Sequence, residues 1–324
     1  MFLEGSRQWS VRAAQAYVFL SLVSALVLAQ QPLQQAQPAR VAPGKWAAVA
    51  HALGVAGDVR GDVFRVGFAP FAGRVWMHRV ALAPGAVEQS WAAFGQQGAL
   101  GWMIGRVLLP ASEGARIAGV MAHDGLDVTG VVDPLPGSSP AITVIYFRGM
   151  GDVTDLARTL KKSLGPALRP ARQAVSGELG RLNVTRIEQV LGRRGEPDAG
   201  ALIFRIPRPE QIKCCGLSND PLLVFSGLSL GPVTGMESRI AFQPQGVRAV
   251  VSGRLAVRHD EVGPVERALE VFGIETVALA ESFPDEQPRI FFLHFFGRGK
   301  PLELALGMRA ALERMQHLPP VTRP

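Results

Sequence analysis

The residues of this chain that could do chemistry are few, and none of them completes a known catalytic pattern. Gly227-Leu228-Ser229-Leu230-Gly231 has the spelling of a nucleophile elbow, in which a serine is exposed on a sharp turn between a strand and a helix. Pro232 stands where that helix would begin, so we interpret the match as chance. The six histidines include no His-x-x-x-His pair with a glutamate, and no Gly-rich phosphate loop follows a strand. This absence favours binding over catalysis.

One histidine and a few arginines remain as candidates for contact with a ligand. His294 shares a predicted strand face with an isoleucine and two phenylalanines, which favours a histidine packed among apolar neighbours with one hydrogen bond. Arg106 and Arg254 occupy matching places in two similar segments and could line an anion pocket. The preferred interpretation is that these two arginines and Arg289 are solvated or hydrogen-bonded positions of a sheet.

Two segments of the chain repeat each other. Residues 90–164 align without a gap with residues 238–312, at an offset of 148 (238 minus 90). The matches include core and turn residues: Phe94 with Phe242, Gly105-Arg106 with Gly253-Arg254, Gly125 with Gly273, and Phe147 with Phe295. Upstream, Leu53-Gly54 and Gly57 reappear as Leu191-Gly192 and Gly195, and two small length changes are expected before Phe64-Arg65 meets Phe204-Arg205. The repeat predicts two copies of one structural unit.

Each copy has the patterns of strands followed by helices. Residues 247–258 alternate apolar and polar side chains, which predicts a half-buried strand with arginines on its solvent face. Apolar stripes at helical spacing follow, with Ser112 and Asp260 as expected caps and Gly125 and Gly273 as expected ends. A hairpin and a final helix close each copy. We predict an α+β fold: two tandem homologous units, each a mostly antiparallel sheet with helices packed on one face.

The chain divides into six predicted regions. The N-terminus has two arginines, an apolar stretch and Val27-Leu28-Ala29, which resembles a signal-peptide cleavage site; the alternative is an uncleaved anchor. A stretch rich in Gln and Pro follows, typical of a flexible tether. The expected divisions are a signal peptide at 1–29, a linker at 30–45, the first repeat at 46–164, a linker at 165–184, the second repeat at 185–315 and a tail at 316–324.

Composition and cysteine content exclude several classes of protein. Apolar residues make up 48% and charged residues 19% of the 324, so both units can build a core. The net charge is +7, but the basic residues are scattered and no nucleic-acid-binding motif accompanies them. Cys214 and Cys215, the only cysteines, are adjacent. We interpret them as small apolar residues at a strand end, because a bond between neighbours would need a strained ring.

The second copy resembles the LppY/LpqO-type lipoprotein family, an uncharacterised conserved-domain family. The resemblance lies in residues 276–279 (Thr-Val-Ala-Leu), in 288–294 (Pro-Arg-Ile-Phe-Phe-Leu-His) and in 297–299 (Gly-Arg-Gly). It extends to 191–195, to 253–255, to 260–265 and, in the first copy, to 90–94. It covers most of both units and implies an exported protein whose biochemical role is not defined.

The resemblance also draws attention to the hairpin of the second copy. The family has His-Asn-His where this chain has Ala280-Glu281-Ser282, and its third histidine matches His294. We infer that two histidines on one strand opposite a third could hold a metal ion. Here Ala280 cannot coordinate a metal and Ser282 is a poor ligand, so the site is expected to be lost.

These observations predict an exported, extracytoplasmic protein that binds a small ligand at the junction of the repeats, or an envelope partner. The weak candidates for ligand contact are His294, Glu281, Ser282, Arg289 and Arg254. We expect no catalytic residues, no cofactor, no nucleic acid, and membrane contact only through an uncleaved N-terminus. One alternative is a metal-assisted hydrolase that uses His294 and Glu281. The other is a structural envelope protein, which would have an exposed apolar patch and a filled interface between the repeats.

Overall fold

The computed structural model describes residues 44–68, 73–168, 179–214, 228–281, 283 and 285–315. The predicted signal peptide, most of the tether, the C-terminal tail, a predicted strand at 221–225, Ser282 and Cys215 lie outside the described residues. None of the helices in the described ranges combines the length and the apolar character needed to cross a bilayer.

The first repeat is one six-stranded antiparallel sheet with helices on one face. The strand order is β1-β2-β5-β6-β8-β7. Its helices are α1 (Lys45–Leu53), α2 (Ala111–His123) and α3 (Val153–Leu164). Its strands are β1 (Asp58–Arg60), β2 (Val63–Phe68), β5 (Ser90–Gln97), β6 (Leu100–Pro110), β7 (Asp127–Val132) and β8 (Ile142–Gly151), with β3 (Trp76–Met77) and β4 (Val80–Ala81) forming a separate ribbon.

The second repeat has the same construction. The strand order is β15-β16-β14-β13-β10-β9, all antiparallel. Its helices are α4 (Val184–Leu191), α5 (His259–Glu270) and α6 (Pro301–Arg314). Its strands are β9 (Glu196–Asp198), β10 (Ala201–Pro207), β13 (Glu237–Gln245), β14 (Arg248–Arg258), β15 (Ile274–Glu281) and β16 (Ile290–Gly299), with β11 (Ile212–Cys214) and β12 (Leu228–Leu230) forming a second ribbon. The predicted α+β class with two homologous units is confirmed.

Fine details of the backbone recur at the offset of 148. The hairpin strands β7–β8 and β15–β16 shift register between Val128 and Gly130 and between Thr276 and Ala278. Both hairpin loops contain a cis proline, at Ser139-Pro140 and Gln287-Pro288. Equivalent residues therefore occupy equivalent positions in the two sheets, and they can be compared one by one.

Three local sequence predictions are wrong. Phe64 lies opposite Phe94 and Leu202 lies opposite Phe242, so the first strands align at an offset of 138 and Phe64 corresponds to Leu202, not to Phe204. Ser112 lies within α2 and Asp260 within α5 rather than at their caps. In α5, a Glu261 carboxylate oxygen accepts the Arg258 N–H instead, at 2.8 Å.

A third difference concerns Cys214. It ends β11, is buried and is disulfide-bonded, so the expected pair of small apolar residues is not what the structure has at this strand end.

The faces of the two sheets that the helices leave uncovered pack against each other. Leu108 and Val144 of the first sheet share a buried cluster with Ala241 and Phe296 of the second. A second cluster, at the other end, joins Trp91 and Ile104 to Ala256 and Phe292. The order of layers is thus helices, sheet, sheet, helices, and both repeats belong to one compact unit.

Two insertions fill the ends of this interface. The segment between β2 and β5 carries a 3₁₀ turn at Pro84–Ala86, and the Ala86 carbonyl accepts the Ser252 hydroxyl of the second sheet at 2.8 Å. The segment between β10 and β13 carries a 3₁₀ turn at Pro232–Thr234, and the Val233 carbonyl accepts a guanidinium N–H of Arg65 in the first sheet at 2.9 Å. An insertion of each repeat is therefore hydrogen-bonded to the sheet of the other repeat.

Candidate functional site: a charged layer between the two sheets

Four basic side chains form a straight row across the second sheet. Arg205 lies opposite Arg239 on the neighbouring strand, Arg239 opposite Arg254, and Arg254 opposite His294. Directly paired residues point to the same face of a sheet, and this face is turned towards the first repeat. We call these four residues the arginine row.

The equivalent row of the first sheet has different chemistry. Gly67 lies opposite Trp91, Trp91 opposite Arg106, and Arg106 opposite Tyr146. We call these four residues the aromatic row. Only the arginine at the third position, Arg106 or Arg254, is common to both rows, so the two faces that meet are complementary rather than identical.

One carboxylate joins the two equivalent arginines. A single oxygen of Glu88, Oε2, accepts N–H groups of both Arg106 and Arg254, the second at 2.5 Å. Arg106 is 4% exposed, Arg254 1% and Glu88 7%. Glu88 lies in the first insertion, and its counterpart at the offset of 148 is Met236. The two equivalent arginines are therefore paired with a carboxylate of the chain itself.

Several polar atoms of this layer are buried without a hydrogen-bond partner among the described residues. They are Oε1 of Glu88, Nε1 of Trp91, Nε and Nη1 of Arg239, Nε of Arg254 and Nε2 of His294. Buried polar groups in folded proteins are almost always satisfied by protein or by water, so each of these atoms needs an explanation. Most of them are donors, so the layer has an excess of N–H groups over acceptors.

Aromatic rings lie over two of the arginines in this layer. The Arg65 guanidinium lies 4.5 Å from the ring centre of Trp91, and that of Arg254 lies 4.6 Å from the ring centre of Phe292. Tyr146 stacks on Phe292 with ring centres 6.4 Å apart. Such contacts stabilise a desolvated cation by about 2 kcal/mol at most, which only partly offsets its burial.

Burial changes the acid-base properties of this layer. Burial lowers the pKa of His294 to about 4, with the charge of Glu88 opposing and that of Arg106 reinforcing the effect. Burial also lowers the pKa of Arg239 to about 10, which the nearby carboxylate of Glu88 resists. At neutral pH His294 is therefore uncharged, while Arg239 remains a buried cation.

Positive charge exceeds negative charge between the sheets. Eight charged residues meet here: five arginines and three acids, an excess of two positive charges. They are Arg65, Arg106, Arg205, Arg239 and Arg254, with Glu88, Glu237 and Asp198. Directly opposite like charges destabilise a sheet, so this arrangement carries a cost that ordinary core packing would avoid.

The structure separates the residues proposed from the sequence into two places. His294 and Arg254 lie side by side in the buried layer between the sheets. The face of β14 that was predicted to be exposed to solvent is therefore buried. Glu281 pairs with Phe291 across the hairpin and binds Arg289, so it points to the opposite, helix-covered face. Glu281 and His294 are thus not brought together, and Ser282 lies outside the described residues.

The geometry around His294 does not assemble metal ligands. Ala278 and Ala280 share the face of His294, and within the described ranges no group of three His, Cys, Asp or Glu side chains is close enough to hold a metal ion.

Four residues of the site were not singled out from the sequence: Glu88, Arg205, Arg239 and Tyr146. Arg239 was visible only as the residue that replaces Trp91 in the second copy. A signal did exist, because the substituted position lies directly opposite the repeated arginine once β5–β6 and β13–β14 are paired as hairpins. Glu88 lies outside the aligned repeats and left no such signal.

The fold and this layer define a class: a tandem α+β repeat protein whose two sheets enclose ionisable groups contributed by both copies. Residues 47–165 and 185–314 match the DUF1529 model, described as Domain of Unknown Function (DUF1259). The two segments span most of the chain, and the protein belongs to this family. No curated protein and no solved structure matches the chain.

Proposed function

We propose that this protein is an exported binding protein that takes a small ligand at the junction of its two repeats. The observation that carries the proposal is a set of buried polar atoms from both sheets that have no partner among the described residues, from Trp91 on one side to Arg239 and His294 on the other. A layer that served packing alone would be more stable with apolar side chains of similar volume. Groups without partners in the free protein are the ones a ligand can satisfy.

Binding rather than catalysis is supported by the chemistry of the layer. His294 has cross-strand neighbours Arg254 and Ala278, neither of which can act as its acid-base partner. The alternative of a metal-assisted hydrolase requires Glu281 beside His294, whereas they point to opposite faces. We therefore assign no catalytic residue and no cofactor.

The finer family resemblance and the location are part of the proposal. The motifs around Arg289 and His294 support an affiliation with LppY/LpqO-type proteins, and the apolar N-terminal stretch supports an extracytoplasmic location. Membrane contact, if any, would come from that segment. N-terminal sequencing of the protein recovered after expression of the full-length chain tests the export step: we expect Gln30 as the first residue, and an intact N-terminus would contradict cleavage.

The experiment for the binding role is a thermal-shift screen with neutral, cationic and anionic small molecules. The variant Trp91→Phe removes the unpartnered indole N–H from the layer, while Trp76→Phe changes a tryptophan that is 43% exposed and serves as the matched control. We expect at least one compound to raise Tm in the wild type and in Trp76→Phe, with a smaller shift in Trp91→Phe. No stabilising compound, or shifts that are equal in both variants, would contradict the proposal.

A structural role in the envelope is the second candidate, and one observation favours it. The interface between the repeats is filled by buried clusters from both sheets and both insertions. Apolar side chains are also exposed on the helix side of the second repeat: Val271 (79%), Leu302 (37%) and Leu306 (48%). A stable oligomer in sedimentation velocity that Leu306→Ser disrupts would support this candidate, and a monomer at all concentrations would count against it.

A further inference from the structure

Arg239 is the least satisfied cation of the layer. It is 1% exposed, one terminal nitrogen donates to the Gly85 carbonyl, and Nε and Nη1 have no acceptor among the described residues. Burying a guanidinium with unsatisfied N–H groups destabilises the folded state by several kcal/mol. The packing of its aliphatic stem stabilises the folded state by less than this.

The acidic side chains near Arg239 are each committed to another partner. Glu88 accepts from Arg106 and Arg254, Glu237 accepts from Arg205 at 3.3 Å, and Asp198 accepts from Gln89 at 3.0 Å. In the described part of the chain, Arg239 thus forms no ion pair of its own. Its positive charge lies where the described residues supply no counter-charge that is not already paired.

The neighbours of Arg239 add to the demand for an anion. Arg205 and Arg254 lie directly opposite it on the two adjacent strands, and Nε of Arg254 also lacks an acceptor among the described residues. Three guanidinium groups in a line provide N–H donors in planar pairs, the arrangement that recognises the oxygens of phosphate, sulfate or carboxylate. A cation is excluded by charge, and a neutral apolar molecule would leave the donors unsatisfied.

The row reaches solvent at one end. The Arg205 side chain is 35% exposed, while Arg239 and Arg254 behind it are buried. An anion can therefore approach at Arg205 and bind at Arg239, attracted by the positive charges of the row.

We propose that Arg239, together with Arg205 and the Nε group of Arg254, binds a small oxyanion, either free or as the phosphate, sulfate or carboxylate group of a larger molecule. This inference rests on the proposed function and names the ligand class for the same junction. Arg239 is the central contact because it lies between the other two arginines in the row. The Glu88 ion pairs stay in place beside it.

The test is isothermal titration calorimetry with inorganic phosphate, sulfate and acetate at constant ionic strength, using the protein recovered after expression of the full-length chain. We expect saturable 1:1 binding of at least one of these anions, weakened about 10- to 100-fold by Arg239→Gln, because each hydrogen bond to a charged group contributes about 1.5–3 kcal/mol. Arg248→Gln, a change at an exposed arginine of β14, is the matched control and should bind like the wild type.

Two further variants keep the test decisive if Arg239→Gln does not fold. Arg205→Gln lies at the exposed end of the row and should weaken binding severalfold, and Arg239→Lys should retain part of the affinity because it keeps the charge but loses the planar fork. Binding of the free ions indicates a free oxyanion ligand. Tighter binding of organic phosphates or dicarboxylates than of the free ions indicates an anionic group on a larger molecule.

Two results would overturn the inference. One is the absence of binding by any of these anions, and the other is binding that Arg239→Gln and Arg205→Gln leave unchanged. The oxyanion inference can fail separately from the proposed function, since a neutral compound whose stabilisation depends on Trp91 would keep the binding role and exclude the oxyanion as its ligand.

Discussion

The two repeats differ most where they face each other and least where they face their own helices. Phe94 and Phe147 in one copy and Phe242 and Phe295 in the other are all fully buried at equivalent positions of the helix-covered faces. On the opposite faces, Gly67, Trp91, Arg106 and Tyr146 stand against Arg205, Arg239, Arg254 and His294.

The difference has a physical reason. If both sheets presented the arginine row, seven arginines (Arg65 and three from each row) would meet the three acids, and the excess of positive charges would rise from two to four. Trp91 and Tyr146 instead offer ring faces and few charges, which a cation-rich partner can pack against. Complementarity between the copies thus comes from divergence at one row, while the rest of each sheet keeps a common register.

The largest expected effect tests the shared carboxylate. Glu88→Gln leaves Arg106 and Arg254 buried without a counter-charge, so we expect the free energy of unfolding to fall by about 3–5 kcal/mol. Urea denaturation followed by tryptophan fluorescence measures it. In Glu88→Gln with Arg254→Met, part of the loss should be recovered, because one buried cation is also removed.

The control for this prediction is Glu113→Gln. Glu113 is 46% exposed and pairs with Arg116 at 3.7 Å on a helix surface, so its removal should change stability by about 0.5 kcal/mol or less. Equal, small effects at Glu88 and Glu113 would show that the two arginines do not depend on the Glu88 carboxylate.

The second prediction concerns His294, which occupies the position of Tyr146 in the first copy. Burial lowers the pKa of His294 to about 4, below its value near 6.5 in the unfolded chain, so between these values the unfolded state binds a proton that the folded state does not. Stability should therefore fall, by on the order of 3 kcal/mol, as the pH drops from about 7 to about 4. Chemical denaturation across this pH range measures the slope.

The variant His294→Gln should lose most of this acid-induced destabilisation, since glutamine does not titrate. His51→Gln, which changes an exposed histidine of α1, should keep the wild-type slope. An unchanged slope in His294→Gln would place the acid sensitivity elsewhere in the chain.

The third prediction concerns the equivalent turns after α2 and α5. Gly125 and Gly273 adopt φ values of +90° and +65°, and a Cβ added at either position would meet no other atom within 4 Å. Valine at each should cost about 1–3 kcal/mol from backbone strain alone, by similar amounts in the two copies. Thermal unfolding measures it, with Gly119→Ala in α2 as a control expected to be neutral or stabilising. Tolerance of valine at only one site would show that the two turns are not equivalent.

The last prediction contrasts the two hairpin loops. Glu286 is 1% exposed where the first copy has Ser138, and burial raises the pKa of Glu286 to about 8, with the Ile290 N–H opposing the shift. A raised pKa contributes stability that is present below about pH 4.5 and lost as the pH rises towards 8.

Glu286→Gln should therefore be more stable than the wild type at pH 8, by up to about 4 kcal/mol, with no gain at pH 4. Thermal unfolding at the two pH values provides the comparison, and Ser138→Ala should show no such pH dependence. A gain that is equal at both pH values would mean that ionisation of Glu286 is not its cause.

The sequence predicts the architecture because the repeat carries it. The constant offset of 148 places β6 on β14 and α3 on α6, and the alternation at 249–257 predicts a strand that the structure confirms. The alignment of β2 with β10 failed by two residues, because Phe64 and Phe204 are the same residue type but face different partners.

The site was harder to predict, because it depends on register between distant segments. Arg254 alternates with apolar residues in a way typical of a solvated strand face, and only the packing of the first repeat against this face explains its burial. The arginine row exists only when four strands are aligned, and Glu88 reaches it from an insertion outside the repeats. His294 is buried in the sheet, but it lies beside Arg254 rather than among apolar neighbours only, and its charged neighbours were not foreseen.

The most direct test of the central claim is anomalous diffraction from crystals soaked in selenate, a tetrahedral oxyanion that can be located by its own scattering. The account predicts a peak within hydrogen-bonding distance of Nε or Nη1 of Arg239, which disappears in crystals of Arg239→Gln or, if that variant does not fold, of Arg205→Gln. Selenate only at surface arginines, with Arg239 unoccupied at concentrations that saturate those sites, would contradict an oxyanion site between the two sheets.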